Sequence, residues 1–114
     1  MSETLTTISE LHYGSTGTRV EVRIIHIWTP QYCTYETWYL GFDKYGDAIQ
    51  ILGQRKDQGY LQFVFQVSKC YAICKYGCGE PDSFQNWIDN IIYMAVGMAS
   101  SITLLLDTGI IPWN

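Results

Sequence analysis

Four cysteines are the residues whose chemistry would be easiest to recognise. Cys33 stands apart, whereas Cys70, Cys74 and Cys78 recur at intervals of four. On an extended strand this interval separates side chains by about 13 Å, at about 3.3 Å per residue. That distance is too long for a disulfide or for direct chelation of one zinc ion. We therefore expect no metal site and interpret these thiols as buried free cysteines.

Catalytic groups do not form a recognisable pattern either. The two histidines, His12 and His26, do not stand in a nucleophile arrangement. The sequence has no Gly-rich phosphate loop, no paired catalytic carboxylates and no H-E-x-x-H motif. We therefore expect a protein that is not an enzyme and that uses no cofactor.

Aromatic side chains are the more promising functional groups. Nine Tyr, four Trp and four Phe make up 15% of the 114 residues. Such rings can stack on the bases of a single strand, and each stack contributes about 1–3 kcal/mol. The net charge of −4 argues against strong phosphate binding, because charge neutralisation supplies most of the non-specific affinity for nucleic acids. Tyrosine is also frequent at protein interfaces, so binding to nucleic acid and binding to protein both stay open.

The same composition, rich in aromatic and β-branched residues, favours strands over helices. Val20, Val22 and Ile24 alternate with charged residues in the clearest strand, at 18–28, where a bulge or fuller burial is expected towards the end. Four more strands are predicted at 37–42, 48–52, 69–76 and 91–96, and residues 102–106 would extend or flank the last strand. Residues 60–67 are predicted as a short helix, with an extended strand as the alternative. This layout predicts an all-β, five-stranded Greek-key barrel with one short helix between strands 3 and 4, as a single domain over residues 1–114.

Several segments resemble, in order, the single-strand-binding domains of the replication protein A large subunit. The strand Val20–Trp28 is similar to the family's first strand, above all in its expanded plant relatives, where a strand Arg is followed five positions later by a Trp. Residues 40–50 resemble the second and third strands around an Asp-x-x-Gly turn, and residues 69–73 resemble the fourth strand. Residues 84–86, ahead of 92–94, are similar to the entry into the fifth strand.

The resemblance implies an oligonucleotide/oligosaccharide-binding (OB) fold. It implies a partner that is single-stranded DNA (or RNA) and a role in replication or repair. The bound strand would lie across the second and third strands, between the first–second and fourth–fifth loops. This sequence has Leu52-Gly53 where the family carries a stacking aromatic residue, so we expect weak binding.

Two adjacent rings on the second strand must face opposite sides of the sheet. These are Trp38 and Tyr39. Trp38 shares its parity with two further apolar residues, Leu40 and Phe42, which favours it as the core residue. Tyr39 is therefore the predicted groove residue.

The remaining binding candidates are basic, polar or aromatic residues at the predicted groove. Arg23 matches the family's first-strand Arg, and the Arg55-Lys56 pair follows the third strand. Each candidate also has a purely structural interpretation, such as a solvated charge or a ring that packs beneath a loop. The complete set is Arg23, Trp28, Tyr35, Tyr39, Gln50, Arg55, Lys56, Lys75 and Trp87, with Tyr32 as a second ring in the first–second loop.

The alternative function is a protein-interaction OB domain with little affinity for nucleic acid. It is favoured by the acidic balance and by the absent third-strand aromatic residue, and it includes a homodimer formed through an apolar edge or through residues 102–106. The N-terminus has no signal-peptide pattern, and no apolar run reaches the ~18–20 residues of a membrane span. We therefore expect an intracellular protein, nuclear or cytoplasmic, without a membrane partner.

Overall fold

Seven strands form a single sheet in the computed structural model, which describes residues 5–16, 18–31, 36–80 and 92–106. One short helix, α1 (Gln58–Val64), lies between the third and fourth strands, and 3₁₀ turns cover Ile8–Glu10 and Arg55–Asp57. The strands are β1 (Val20–Trp28), β2 (Thr37–Phe42), β3 (Ala48–Gly53), β4 (Cys70–Cys74), β5 (Gly77–Gly79), β6 (Tyr93–Val96) and β7 (Ser101–Leu105).

The sheet follows the order β5-β6-β3-β2-β1-β4-β7 and curls into a half-barrel. Only the β3–β6 pair is parallel among the paired strands that the structure describes. The first half of β1 pairs with β4 and its second half pairs with β2, with a register shift between Ile24 and His26. The bulge expected towards the end of this strand is therefore confirmed.

The core lies on the concave side of the sheet, where α1 closes it. Leu61 and Phe65 enter the cluster from α1 and from the residue that follows it. Tyr39 of β2 packs on Phe65 with ring centroids 4.7 Å apart, and Phe65 meets Tyr71 of β4 edge to face at 5.1 Å. The Tyr71 hydroxyl donates a hydrogen bond to the Val64 carbonyl and accepts one from the Gln66 amide, each at 2.8 Å. These contacts fix the end of α1 against the sheet.

The expected arrangement of Trp38 and Tyr39 is wrong. Tyr39 belongs to the core cluster and is fully buried, while Trp38 lies on the opposite side of the sheet. The core side of β2 has little bulk elsewhere, because Gly41 is packed so tightly that a β-carbon would lie 3.2 Å from Val22 Cβ. The alternating residues Trp38, Leu40 and Phe42 therefore lie on the outer side of the sheet. Tyr39 lies on the core side and is not a groove residue.

The predicted strand count and some boundaries also need correction. The described residues form seven strands rather than five, and Gly77–Gly79, which follows the predicted fourth strand, forms β5. Lys75 has a positive φ of 58°, and the chain bends there from its place beside β1 to a place beside β6. Residues 101–105 form β7, which pairs with β4. The single helix between strands 3 and 4 is confirmed, although it covers 58–64 rather than 60–67.

Three of the four cysteines, Cys70, Cys74 and Cys78, are buried and do not form disulfides, as predicted. Burial raises the pKa of the Cys78 thiol to about 11. Cys33 lies outside the described residues. No three His, Cys, Asp or Glu side chains among the described ranges are grouped to hold a metal ion, and no described helix has the length and apolar character of a membrane span.

Asp43 organises the turn between β2 and β3 and ties the N-terminal segment to it. One carboxylate oxygen accepts hydrogen bonds from the amides of Tyr45 and Asp47, at 3.0 and 3.1 Å. The other accepts from the Ile8 amide at 2.9 Å. The Asp43 side chain is almost fully buried. A single buried carboxylate therefore accepts hydrogen bonds from three backbone amides.

We expect Asp43→Asn to lower the free energy of unfolding by about 1–3 kcal/mol. The amide nitrogen of Asn cannot accept the third of these bonds, so one buried N–H group loses its partner. Urea denaturation measures the change, and Asp47→Asn is the matched control, because the Asp47 side chain is exposed. Equal stability of the two variants would contradict this role of Asp43.

A second prediction compares two buried tyrosines. The Tyr39 hydroxyl has no hydrogen-bond partner among the described residues, whereas the Tyr71 hydroxyl has two. Tyr39→Phe should leave the free energy of unfolding unchanged or raise it by up to about 1 kcal/mol, while Tyr71→Phe should lower it by about 1–3 kcal/mol. Thermal and urea unfolding of both variants test the contrast, and a larger loss for Tyr39→Phe would refute it.

Tyr39 also predicts how the stability of the fold changes at alkaline pH. Burial raises the pKa of Tyr39 from 10.0 to about 12. The unfolded chain therefore releases this proton at lower pH than the folded chain, and stability falls as the pH rises from about 10 to about 12. Tyr39→Phe should lose less stability over this interval than the wild type, as measured by urea midpoints at each pH. Parallel losses would show that Tyr39 does not contribute.

Candidate nucleic-acid interface

The outer face of the sheet, opposite the core, carries aromatic and apolar side chains. Residues that are paired in register lie on the same side of a sheet, so the pairing of β1, β2, β3 and β6 identifies the members of this face. One row across these strands contains Trp28, Trp38, Leu52 and Ala95, and the next contains His26, Leu40, Gln50 and Tyr93.

The bulge in β1 decides which rings reach this face. Before it, Val20, Val22 and Ile24 point into the core. One extra residue reverses the alternation, so that Ile27 packs against the core and His26 and Trp28 lie on the outer side.

Four rings form a continuous series, which we call the aromatic row: His26, Trp28, Trp38 and Tyr93. The His26 and Trp28 rings are stacked at 5.4 Å and 19°, and Trp28 stacks on Trp38 at 6.4 Å and 18°. Tyr93 meets Trp38 edge to face at 5.6 Å. His26 is exposed, Trp28 and Tyr93 are half-buried, and Trp38 is buried. The row is therefore most accessible at His26 and most covered at Trp38, with Trp28 and Tyr93 in between.

Two neighbours hold the buried part of the row in place. The indole Nε1 of Trp38 donates a hydrogen bond of 3.1 Å to the Glu36 carboxylate. Tyr93 lies against Gly79 of β5, where a β-carbon would come within 2.9 Å of the Tyr93 hydroxyl and ring. Gly79 thus leaves the space that the ring occupies.

Arg23 and Gln50 lie on the predicted side of the sheet but are covered. Arg23 pairs with Phe42, is fully buried, and donates from Nη1 to the Ser68 carbonyl at 2.6 Å. Gln50 is also buried, in the same row as Tyr93. Neither residue is exposed, so the prediction that Arg23 and Gln50 contact nucleic acid directly is wrong. Both side chains instead support the outer face from within it.

The exposed basic candidates lie at two places. Arg55 and Lys56 are exposed on the 3₁₀ turn directly after β3, at the end of the sheet that carries the Trp38 row. Lys75 is exposed at the bend between β4 and β5, where its carbonyl accepts a hydrogen bond from Ser100 in the β6–β7 turn. Arg55 and Lys56 thus lie near the end of the sheet that carries Trp38, and nucleic-acid contacts from these two residues and from Lys75 stay predictions.

Two candidates, Tyr35 and Trp87, and the additional ring Tyr32 lie outside the described residues. Trp28 is on the outer face as required for stacking. Sequence reasoning missed His26, Trp38 and Tyr93. His26 and Trp28 are two residues apart, so the sequence indicates that they lie on the same side of the strand. Which side that is depends on the position of the bulge, which the sequence does not show.

No protein-family profile matches the sequence, and no curated protein matches it. Solved structures are similar in fold. An OB domain from Methanosarcina mazei is 17% identical with a TM-score of 0.64, and the match covers 92% of this chain and 86% of that one. A replication protein A heterotrimer bound to ssDNA gives a TM-score of 0.76 at 15% identity, covering 94% of this chain and 26% of the matched chain.

Schizosaccharomyces pombe Pot1pC bound to ssDNA is similar at a TM-score of 0.68 and 8% identity, over 93% of this chain and 89% of that one. Identities this low establish the architecture alone. Together with the curled sheet and the single helix after β3, they confirm the predicted fold: the chain has an OB fold.

Proposed function

We propose that this OB domain binds single-stranded nucleic acid, in the first place DNA, along the outer face of β1, β2, β3 and β6. The observation that carries the proposal is the aromatic row. Its accessible rings, His26 and Trp28, are nearly parallel and 5.4 Å apart. A base that stacks on such a platform gains about 1–3 kcal/mol without any need for a particular sequence.

The covered rings make this platform rigid. Trp38 backs Trp28 and is held by Glu36, and Tyr93 holds Trp38 from the other side. Rings that are already fixed before binding lose little conformational freedom when a base stacks on them. The platform is also well placed, because OB folds bind oligonucleotides on the face of strands 2 and 3.

Charge supplies the smaller part of the proposed affinity. Arg19 is engaged with Glu21 in an ion pair at 2.7 Å, and Arg23 is buried. Arg55 and Lys56 are exposed next to each other on the 3₁₀ turn after β3, at the end of the sheet that carries Trp38 and Leu52. We therefore infer a binding mode dominated by stacking, with about two phosphate contacts.

More specifically, we propose a replication protein A type domain that acts in replication or repair, in the nucleus or the cytoplasm. It is supported by the ordered motif resemblance and by the ssDNA-bound structures that share the fold, replication protein A and Pot1pC.

We expect Trp28→Leu to weaken binding to a labelled oligothymidine of ~15 nucleotides by roughly 5- to 150-fold, the equivalent of about 1–3 kcal/mol. Fluorescence anisotropy at ~50 mM salt, where phosphate contacts are strong, measures the affinity. Trp28→Phe should retain most of it, because a ring face is kept. Tyr13→Leu removes an exposed ring outside the interface and should bind as the wild type does.

Failure of the wild type to bind the oligonucleotide at tens of micromolar protein would refute the proposed function, because low salt favours phosphate contacts. It would favour the alternative of a protein-interaction OB domain. Oligouridine and duplex DNA of the same length, titrated in parallel, distinguish DNA from RNA and single strands from duplexes.

Salt dependence provides an independent prediction. Each phosphate contact with a single strand contributes about −0.7 to the slope of log K against log salt, so two contacts give about −1.4. Arg55→Ala combined with Lys56→Ala should bring the slope close to zero. The control removes two exposed lysines elsewhere, Lys44→Ala with Lys69→Ala, and should keep the wild-type slope. If the control flattens the slope as much, the phosphates are bound elsewhere.

A further inference from the structure

The last strand, β7, forms one edge of the sheet. Its five residues pair with β4 from Cys70↔Leu105 to Cys74↔Ser101. Among the described strands it has no neighbour on its other side. Its second set of backbone N–H and C=O groups therefore points away from the sheet, in the direction in which another strand would bind.

Within the described residues, this edge lacks the charges and the proline that often prevent strand pairing. Natural edge strands carry charges, proline or bulges, whereas residues 98–106 (MASSITLLL) contain no charged residue and no proline. Leu104 is 62% exposed and Leu106 is 89% exposed. Isolated apolar residues at a surface are common, but here they lie together along the edge of a sheet.

The strand is also held rigidly as a template. All five residues of β4 are buried, so the inner neighbour of β7 is part of the protein interior. Ile102 packs against the core cluster, and Leu104 is paired with Tyr71, whose hydroxyl is bonded to the end of α1. An incoming strand would meet a backbone that is already extended.

We propose that β7 pairs antiparallel with β7 of a second copy of this chain, about a two-fold axis at Thr103. This register pairs all five residues of each strand, with Ser101 opposite the second Leu105 and Ile102 opposite the second Leu104. An uncharged strand meets its own copy without repulsion, although the chain as a whole carries a net charge of −4. A two-fold contact of this kind is closed, so it ends at a dimer.

The two half-barrel sheets become one continuous sheet in this dimer. The contact buries the Leu104 side chain and the outer backbone edge of β7, which are exposed in a single copy. The aromatic row lies on β1, β2 and β6 and does not take part in it. Dimerisation and binding of nucleic acid can therefore be lost separately.

Sedimentation equilibrium of the full chain, from a few to several hundred micromolar, tests the proposal. The wild type should fit a monomer–dimer equilibrium, and Leu104→Lys should raise the dissociation constant at least tenfold. Tyr45→Lys places the same charge on an exposed ring in the β2–β3 turn and should leave the dimer intact. Circular dichroism checks that each variant is folded; if Leu104→Lys is unfolded, Thr103→Lys replaces it, because Thr103 is exposed on the same strand.

Cysteine crosslinking tests the register. In a Cys33→Ser background, Thr103→Cys should form an intermolecular disulfide under mild oxidation, because the two Thr103 positions face each other across the axis at a Cα distance suitable for a disulfide, about 4.5–5.5 Å. Tyr45→Cys should crosslink at least tenfold more slowly. A wild type that stays monomeric throughout, as it would if residues 107–114 of its own chain covered the edge, overturns the proposal, and so does equal crosslinking at both positions.

Discussion

The bulge in β1 is the constraint on which the rest of the structure depends. This strand runs between β2 and β4 and is shared by both. Before the bulge its even-numbered residues fill the core, and after it they lie on the outer face. The same strand therefore supplies Val22 and Ile24 to the interior and His26 and Trp28 to the surface. Without the extra residue, Trp28 would point into a core that Tyr39 and Phe65 already fill.

Burial on both sides of the sheet follows from this arrangement. The core side is closed by α1, and the outer side is partly closed by its own rings, with Trp38 covered by Trp28 and Tyr93. A central strand that is apolar on both faces is stabilised from both sides, which holds the exposed rings in fixed orientations. In this way the packing that stabilises the barrel also builds the proposed binding platform, which would let an acidic chain bind with few phosphate contacts.

The fold was predictable because alternation, turn residues and motif order all indicated the same barrel. Val20 to Ile24 showed the alternation, and the Asp43 turn gave the hairpin that the structure confirms. The site was less predictable, because parity assigns a strand's two faces only when one of them is polar. On β2 both faces are apolar, so Trp38 and Tyr39 were assigned to the wrong sides. The bend at Lys75 depends on a positive φ that no local residue pattern indicated.

The most direct test of the central claim is to map the bound strand by NMR. Adding oligothymidine to the ¹⁵N-labelled protein should shift the amides of His26, Trp28 and Tyr93 and the indole signals of Trp28 and Trp38. The amides of β7 should keep their positions. Shifts that are confined to β7, or an unchanged spectrum at saturating oligonucleotide, would contradict the proposal that the bulge directs these rings to a nucleic-acid interface.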